Sequence, residues 1–205
     1  VKFLFGRFQA MSTRENSGVC ILKKQFDYDN AALVVDPIFL IESSKWRRLA
    51  EQSDKNAIVN YAGAYILDID NNKTDIIRHI ANLENIDRLI LCPDALKPYV
   101  VDQYVDICAA RDYKVEDWLS FIDNSEMFFT DSFHGMCFAI ILHKDFYVIF
   151  HKNSIRGYDR FYDMLSWLGL EDRFIDADSN FSINEFIYKP IDYAKVDAII
   201  NQRVD

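Results

Sequence analysis

Residues 128–135, with the sequence FFTDSFHG, constrain the fold more than any other stretch of this chain. Two aromatic residues and a threonine are typical of the end of a buried strand, and Asp131 and Ser132 are turn and helix-capping residues. The apolar run over residues 133–143 is long enough to favour a buried helix over a strand. A second strand-like run begins at Phe146, after a polar turn. We therefore predict a βαβ unit.

The predicted unit places Ser132, His134 and Gly135 at the N-terminus of its helix. The first amides of a helix have no partner within it, and the helix dipole is positive at that end. Such a position attracts anions, phosphates in particular. His134 is the candidate acid or base, because an imidazole can hold or release a proton near neutral pH.

Strand-like and helix-like segments alternate along the rest of the chain. The predicted strands are residues 31–35, 56–62, 86–92, 105–109 and 174–175, and the predicted helices include residues 45–52, 73–83, 115–122, 159–168 and 191–200. Ser12, with Glu15 three residues further on, matches a capping box that would begin another helix. This alternation predicts an α/β fold with a mostly parallel sheet and helices on both faces. A shift to polar residues around 42–56 predicts a boundary between two domains.

Composition excludes several classes of function. The formal net charge of −9 argues against non-specific binding to nucleic acid. No apolar run approaches the roughly 20 residues that span a bilayer. The four cysteines and four histidines lack metal-ligand spacing, which predicts free thiols and no metal site. The apolar run at residues 1–5 is too short for a signal-peptide core. Because the chain begins with Val1 and its first segment looks like the middle of a fold, we expect a fragment of a longer protein.

Four stretches, in this order, resemble the polysaccharide pyruvyl transferase family. They are STRENSG at residues 12–18, VVDP at 34–37, TDSFHG at 130–135 with the helix and strand after it, and DRF…LGLEDR at 159–173. The resemblance implies Rossmann-like folding, as the C-terminal half of a two-domain GT-B-like fold. Residues 1–42 would be the tail of the N-terminal domain, and residues 43–205 the donor-side domain. Most of the N-terminal half, with its acceptor-binding parts, would lie outside the chain, which should fold without catalysing.

The resemblance also implies a reaction. The family transfers the pyruvyl group of phosphoenolpyruvate to a pair of sugar hydroxyls, as a ketal, in surface or exopolysaccharide biosynthesis. The expected partners are phosphoenolpyruvate as donor substrate and a glycan or lipid-linked sugar as acceptor, with no separate cofactor, in the cytoplasm. Such a transfer needs cations and oriented amides for the donor, a proton for its methylene group and a base for the hydroxyl. The oligomeric state is left open.

By the same resemblance, His134 is the catalytic residue. The substrate-binding candidates are the polar, charged or glycine residues at motif positions that could contact a substrate: Arg14, Ser132, Gly135, Arg160 and Asp131. A planar guanidinium suits bidentate binding of carboxylate or phosphate, whereas Asp131 fixes the turn and Gly135 permits close packing or close approach of a phosphate. Lys152 and Arg156 are further cations in the loop after the second strand.

Two alternatives stay open. Many family members carry arginine at the position of Ser132, and serine can donate a hydrogen bond but cannot neutralise an anion. The chain could therefore belong to a GT-B-type glycosyltransferase that uses a nucleotide-sugar. It could also be a non-catalytic binding module.

Overall fold

The computed structural model describes residues 2–55, 58–94, 96–97, 99–104, 108–152, 158–178 and 188–204. The chain forms two compact units. Unit 1 comprises Val1–Ile41, Asp159–Glu171 and Asp192–Asp205, and unit 2 comprises Glu42–Tyr158 and Asp172–Ile191. Unit 1 thus combines the N-terminal segment with two later segments, whereas the sequence assigned all of 43–205 to one domain. That domain assignment stays a prediction.

The strands are short and alternate with the helices. They are β1 (Ser12–Thr13), β2 (Ala32–Leu33), β3 (Ala62–Ile66), β4 (Leu89–Pro93), β5 (Cys108–Ala109), β6 (Met127–Thr130), β7 (Phe146–Phe150) and β8 (Phe174–Asp176). The helices are α1 (Lys2–Phe5), α2 (Asn16–Phe26), α3 (Ser43–Ala50), α4 (Asn71–Leu83), α5 (Val115–Asp123), α6 (Phe133–Ile141), α7 (Asp159–Leu168) and α8 (Tyr193–Val204). The predicted βαβ unit is confirmed as β6, α6 and β7.

Unit 2 is built on a parallel sheet in the order β5-β4-β3-β6-β7-β8. The chain builds the sheet outward from β3 in one direction and then from β6 in the other, so the strand order reverses between these two neighbours. In open α/β sheets, ligands bind in the crevice at the carboxyl ends of the strands where the order reverses. The β3–β6 junction therefore marks where a ligand site is expected.

Helices cover both faces of this sheet. On one face, Ala64 and Phe129 pack in a buried cluster with Ile77 and Ile80 of α4. On the other face, the ring of Phe121 in α5 lies edge-on to Phe128 of β6, with centroids 6.3 Å apart. The predicted fold class, an α/β fold with a parallel sheet between helices, is confirmed.

Two local predictions are wrong. Ser12 does not cap a helix, because it pairs with Ala32 in the parallel ladder of β1 and β2, and α2 begins only at Asn16. The strand predicted at 56–62 is instead β3, which starts at Ala62; residues 56 and 57 lie outside the described part. The sequence of β3, AGAYI, has few β-branched residues, so its position in the middle of the sheet is decided by tertiary pairing. Residues 105–107 of another predicted strand also lie outside the described residues.

A buried ion pair connects β6 to β3 and α4. Asp131, which follows β6, accepts hydrogen bonds from the amides of Leu67 at 2.6 Å and Asp68 at 3.1 Å. The same carboxylate lies 2.8 Å from Nζ of Lys73, and the two side chains are 0% and 2% exposed. Lys73 also donates to the Asp68 carbonyl at 2.7 Å. These contacts cross the point where the strand order reverses.

Replacing Lys73 with methionine should destabilise the protein strongly, because it leaves the carboxylate of Asp131 buried without its cation. We expect a loss of about 3–5 kcal/mol in the free energy of unfolding. Urea denaturation measures this loss. Lys97→Met is the matched control, since Lys97 pairs with Asp68 at the surface, at 3.5 Å, and should change stability by less than about 1 kcal/mol. Equal losses in the two variants would contradict the prediction.

Candidate functional site

The N-terminus of α6 is held in place by a chain of hydrogen bonds from β3. Thr130 Oγ1 donates to the carbonyl of Tyr65 at 2.7 Å and accepts from the amide of Ser132 at 3.0 Å. Ser132 has extended backbone angles, and its Oγ accepts from the amide of Gly135 at 3.3 Å, as in a helix N-cap. The predicted cap at Ser132 is therefore present, at the carboxyl edge of the sheet.

Gly135 has no room for a side chain. A Cβ atom built there would lie 2.5 Å from Thr130 Oγ1 and 3.3 Å from Ser132 Cβ. Thr130 cannot readily move away, because its hydroxyl is bonded on both sides. Of the two purposes expected for this glycine, close helix packing is the one that these distances support.

A cavity of about 560 Å³ opens beside this helix N-terminus. The described residues that line it come from the ends of β3, β4 and β5 and from the starts of α5 and α6: Tyr65, Cys92, Pro93, Asp94, Ala110, Arg111, Asp112, Tyr113, Lys114, Val115, Trp118, Ser132 and His134. His134 is exposed at its wall, with its ring centroid 5.8 Å from that of Phe133. The cavity has a size typical of small-molecule sites.

Asp131, another predicted site residue, does not line this cavity. Its carboxylate is fully buried and is held by two amides and Lys73, as described above. It fixes the end of β6, which the sequence predicted, and it presents no exposed surface to a substrate.

A second polar group lies at the same edge of the sheet, after β7 and β8. The imidazole of His151 contacts Asp70, the N-cap of α4, at 2.7 Å through Nε2, and contacts Asp178 through Nδ1. Burial alone would lower the pKa of His151. The hydrogen bonds to Asp70 and Asp178 outweigh burial and the charge of Lys73, so the pKa is raised.

Two predicted site residues belong to unit 1. Arg14 follows β1, and its guanidinium donates to the buried carboxylate of Asp36, which also accepts from the amide of Ile38 at 3.2 Å. Arg160 lies in the first turn of α7, with its guanidinium 5.4 Å from the ring of Phe161. Of the loop cations, Lys152 lies 3.6 Å from Asp176 and Arg156 lies outside the described residues.

The structure thus brings Ser132, His134 and Gly135 together and adds residues that the sequence did not single out. The cavity that Ser132 and His134 line is also lined by Tyr65, Trp118, Arg111 and Lys114, each at or near the end of a strand or the start of a helix. That position was a usable signal, because the carboxyl ends of parallel strands converge. This signal was lost at Tyr65, because the strand that became β3 was predicted too early in the chain, at 56–62.

The fold is that of about half of a two-domain GT-B enzyme. A UDP-GlcNAc 2-epimerase of Methanocaldococcus jannaschii, solved with UDP-GlcNAc and UDP, superposes with a TM-score of 0.54 at 12% identity, covering 92% of this chain and 51% of the epimerase. The wall teichoic acid polymerase TagF, as an H444N variant, gives 0.45 at 12% identity, over 97% and 54% of the two chains. The Escherichia coli ADP-heptose heptosyltransferase II gives 0.42 at 9% identity, over 79% and 53%.

The chain spans about half the length of these structures. No curated protein matches it. The model of the polysaccharide pyruvyl transferase family matches residues 1–153, and the chain belongs to that family. The matched region includes β6, α6 and β7 and ends before the stretch at 159–173. No helix among the described residues has the length and apolar character to cross a membrane.

Gly135→Ala should destabilise the protein, because the new methyl group would meet Thr130 Oγ1. The expected loss is about 1–3 kcal/mol, measured by thermal or urea unfolding. The double variant Gly135→Ala, Thr130→Ala tests the cause, since removing the hydroxyl removes the close contact. The double variant should lose less stability than the sum of the two single variants. Strict additivity would contradict the steric explanation.

The raised pKa of His151 predicts a pH-dependent stability. A histidine whose pKa is higher in the folded protein stabilises it fully below the ordinary value of 6.5, and this contribution is lost as pH rises through the folded-state pKa. The difference in unfolding free energy between wild type and His151→Gln should therefore shrink as pH rises. Urea unfolding at a series of pH values measures it, with the exposed His79→Gln as control. A difference that does not vary with pH would refute the prediction.

Proposed function

We propose that this chain is the donor-side part of a polysaccharide pyruvyl transferase that moves the pyruvyl group of phosphoenolpyruvate to two hydroxyls of a sugar. The observation that carries the proposal is His134, exposed at the N-terminus of α6 on the wall of a cavity, in a chain of this family. The proposed acceptor is a glycan or lipid-linked sugar of surface polysaccharide biosynthesis, in the cytoplasm.

The N-terminus of α6 supplies part of the positive potential that an anionic donor needs. The positive end of the α6 dipole lies at Ser132 and His134, where it stabilises a phosphate or carboxylate. Ser132 caps the helix and brings no charge, so cations must come from other side chains. Arg14 and Arg160, which belong to unit 1, stay the predicted anion-binding residues of the chain, because a planar guanidinium suits bidentate binding of a carboxylate or phosphate.

His134 is proposed to move the protons. Ketal formation requires a proton on the methylene carbon of the donor and removal of protons from the attacking hydroxyls, while phosphate leaves. An imidazole can serve as the acid for the first step and as the base for the second. Thr130, Ser132 and Gly135 fix the first turn of α6 and thereby the position of the imidazole.

The test is phosphate release from phosphoenolpyruvate by the complete protein that contains this chain, with a panel of glycan acceptors. His134→Ala should lower kcat about 10²–10⁴-fold, the usual range for removal of a general acid or base. His79→Ala is the matched control, since His79 is an exposed histidine of α4 that does not line the cavity, and it should leave kcat unchanged.

Two outcomes would overturn the proposal. Phosphate release from a nucleotide-sugar but not from phosphoenolpyruvate would assign the site to a glycosyltransferase. Absence of turnover with both donors, together with unchanged ligand binding in His134→Ala, would indicate a non-catalytic binding module.

A further inference from the structure

The cavity beside His134 is larger than the proposed donor requires. Its volume of about 560 Å³ falls in the range that holds drug-sized ligands. Phosphoenolpyruvate is a much smaller molecule, and the α6 N-terminus occupies only one side of the wall. The rest of the wall extends along the ends of β4 and β5 to the start of α5, which leaves space for a second, larger group.

That remaining wall is aromatic. Tyr65, Tyr113 and Trp118 are each half-buried, so part of each ring is covered by protein and part stays accessible. Trp118 is fixed by edge-on contacts at 5.3 Å with both Tyr65 and Phe138. A rigid aromatic surface of this kind favours a ring that presents an apolar face, since burying that face removes it from water at little cost in side-chain entropy.

The charges on the wall disfavour a polyanion. Among the described residues that line the cavity, Arg111 and Lys114 are matched in number by Asp94 and Asp112. Arg111 is also paired with Asp102, and Lys114 lies 3.5 Å from Asp54 and 3.9 Å from Glu116. A diphosphate would meet as many carboxylates as cations, whereas a neutral polyhydroxyl compound can donate hydrogen bonds to the carboxylates and accept them from the cations.

We propose that this cavity binds the acceptor, as a neutral hexopyranose ring packed against the aromatic side chains of Tyr65, Tyr113 and Trp118 with its reacting hydroxyls directed to His134. This inference rests on the proposed function, because it needs the donor at the α6 N-terminus. The hydroxyls that form the ketal must reach the donor carbon and a base, and a ring on this wall lies beside both. This acceptor site within the chain differs from the expectation that the acceptor-binding parts lie outside it.

Blocking the cavity mouth tests the inference without removing any core contact. Val115 begins α5, lines the cavity and is 62% exposed, so Val115→Trp should fold normally while narrowing the space for a sugar ring. Val59 is also 62% exposed and does not line the cavity, which makes Val59→Trp the matched control. In the complete protein, Val115→Trp should raise the KM for the acceptor about tenfold or more and leave the KM for phosphoenolpyruvate unchanged. Val59→Trp should change neither.

A binding measurement separates this inference from the proposed function. Saturation-transfer NMR with methyl hexopyranosides, phosphoenolpyruvate and UDP as separate probes should show hexopyranoside binding that Val115→Trp weakens and Val59→Trp preserves. Phosphoenolpyruvate turnover with an unchanged acceptor KM in Val115→Trp would overturn the inference and leave the proposed function standing. Sugar binding in the cavity without phosphoenolpyruvate turnover would support the inference and overturn the proposed function. Binding of UDP instead of a sugar on this wall, or of no hexopyranoside at all, would also overturn the inference.

Discussion

The carboxylate of Asp131 connects the parts of unit 2 that the candidate site depends on. It is fully buried and receives two amides from the segment after β3 and the ammonium group of Lys73 in α4. A buried charge is tolerated only when it is paired and fully hydrogen-bonded, so this arrangement permits little displacement of any partner. The ends of β3 and β6 are thereby held together at the point where the strand order reverses.

Ser132, the residue after Asp131, caps the helix that carries His134. Thr130 links the preceding strand to Tyr65 and to the amide of Ser132, and Gly135 lets α6 approach Thr130 more closely than any side chain would allow. The first turn of α6, which carries His134, is therefore held by contacts of its neighbours in sequence and by one hydrogen bond to β3. In the proposed mechanism, this support keeps the geometry that proton transfer requires.

Because residue 132 is serine and not arginine, positive charge for an anionic substrate has to come from other side chains. An arginine at this position would carry a cation on the helix itself, whereas serine leaves the helix dipole and the cap. The cations beside it in the cavity, Arg111 and Lys114, are each close to carboxylates. The local balance of charge is thus nearer to neutral than the family resemblance implied, and this balance is the reason that we propose a neutral sugar and not a diphosphate for the aromatic part of the cavity.

The amino-acid sequence by itself determined the class of fold and the βαβ unit with its turn, because these depend on local patterns: buried runs, a capping serine and a glycine at fixed spacing. The family came from the resemblance of four ordered motifs, which the family model supports. The sequence misplaced β3, since AGAYI has little intrinsic strand preference, and it did not reveal the pairing of Asp131 with Lys73 or the cavity lined by Tyr65, Arg111 and Trp118. These features join residues far apart in the chain. Only the strand order of the folded sheet brings them together, and no local pattern records that order.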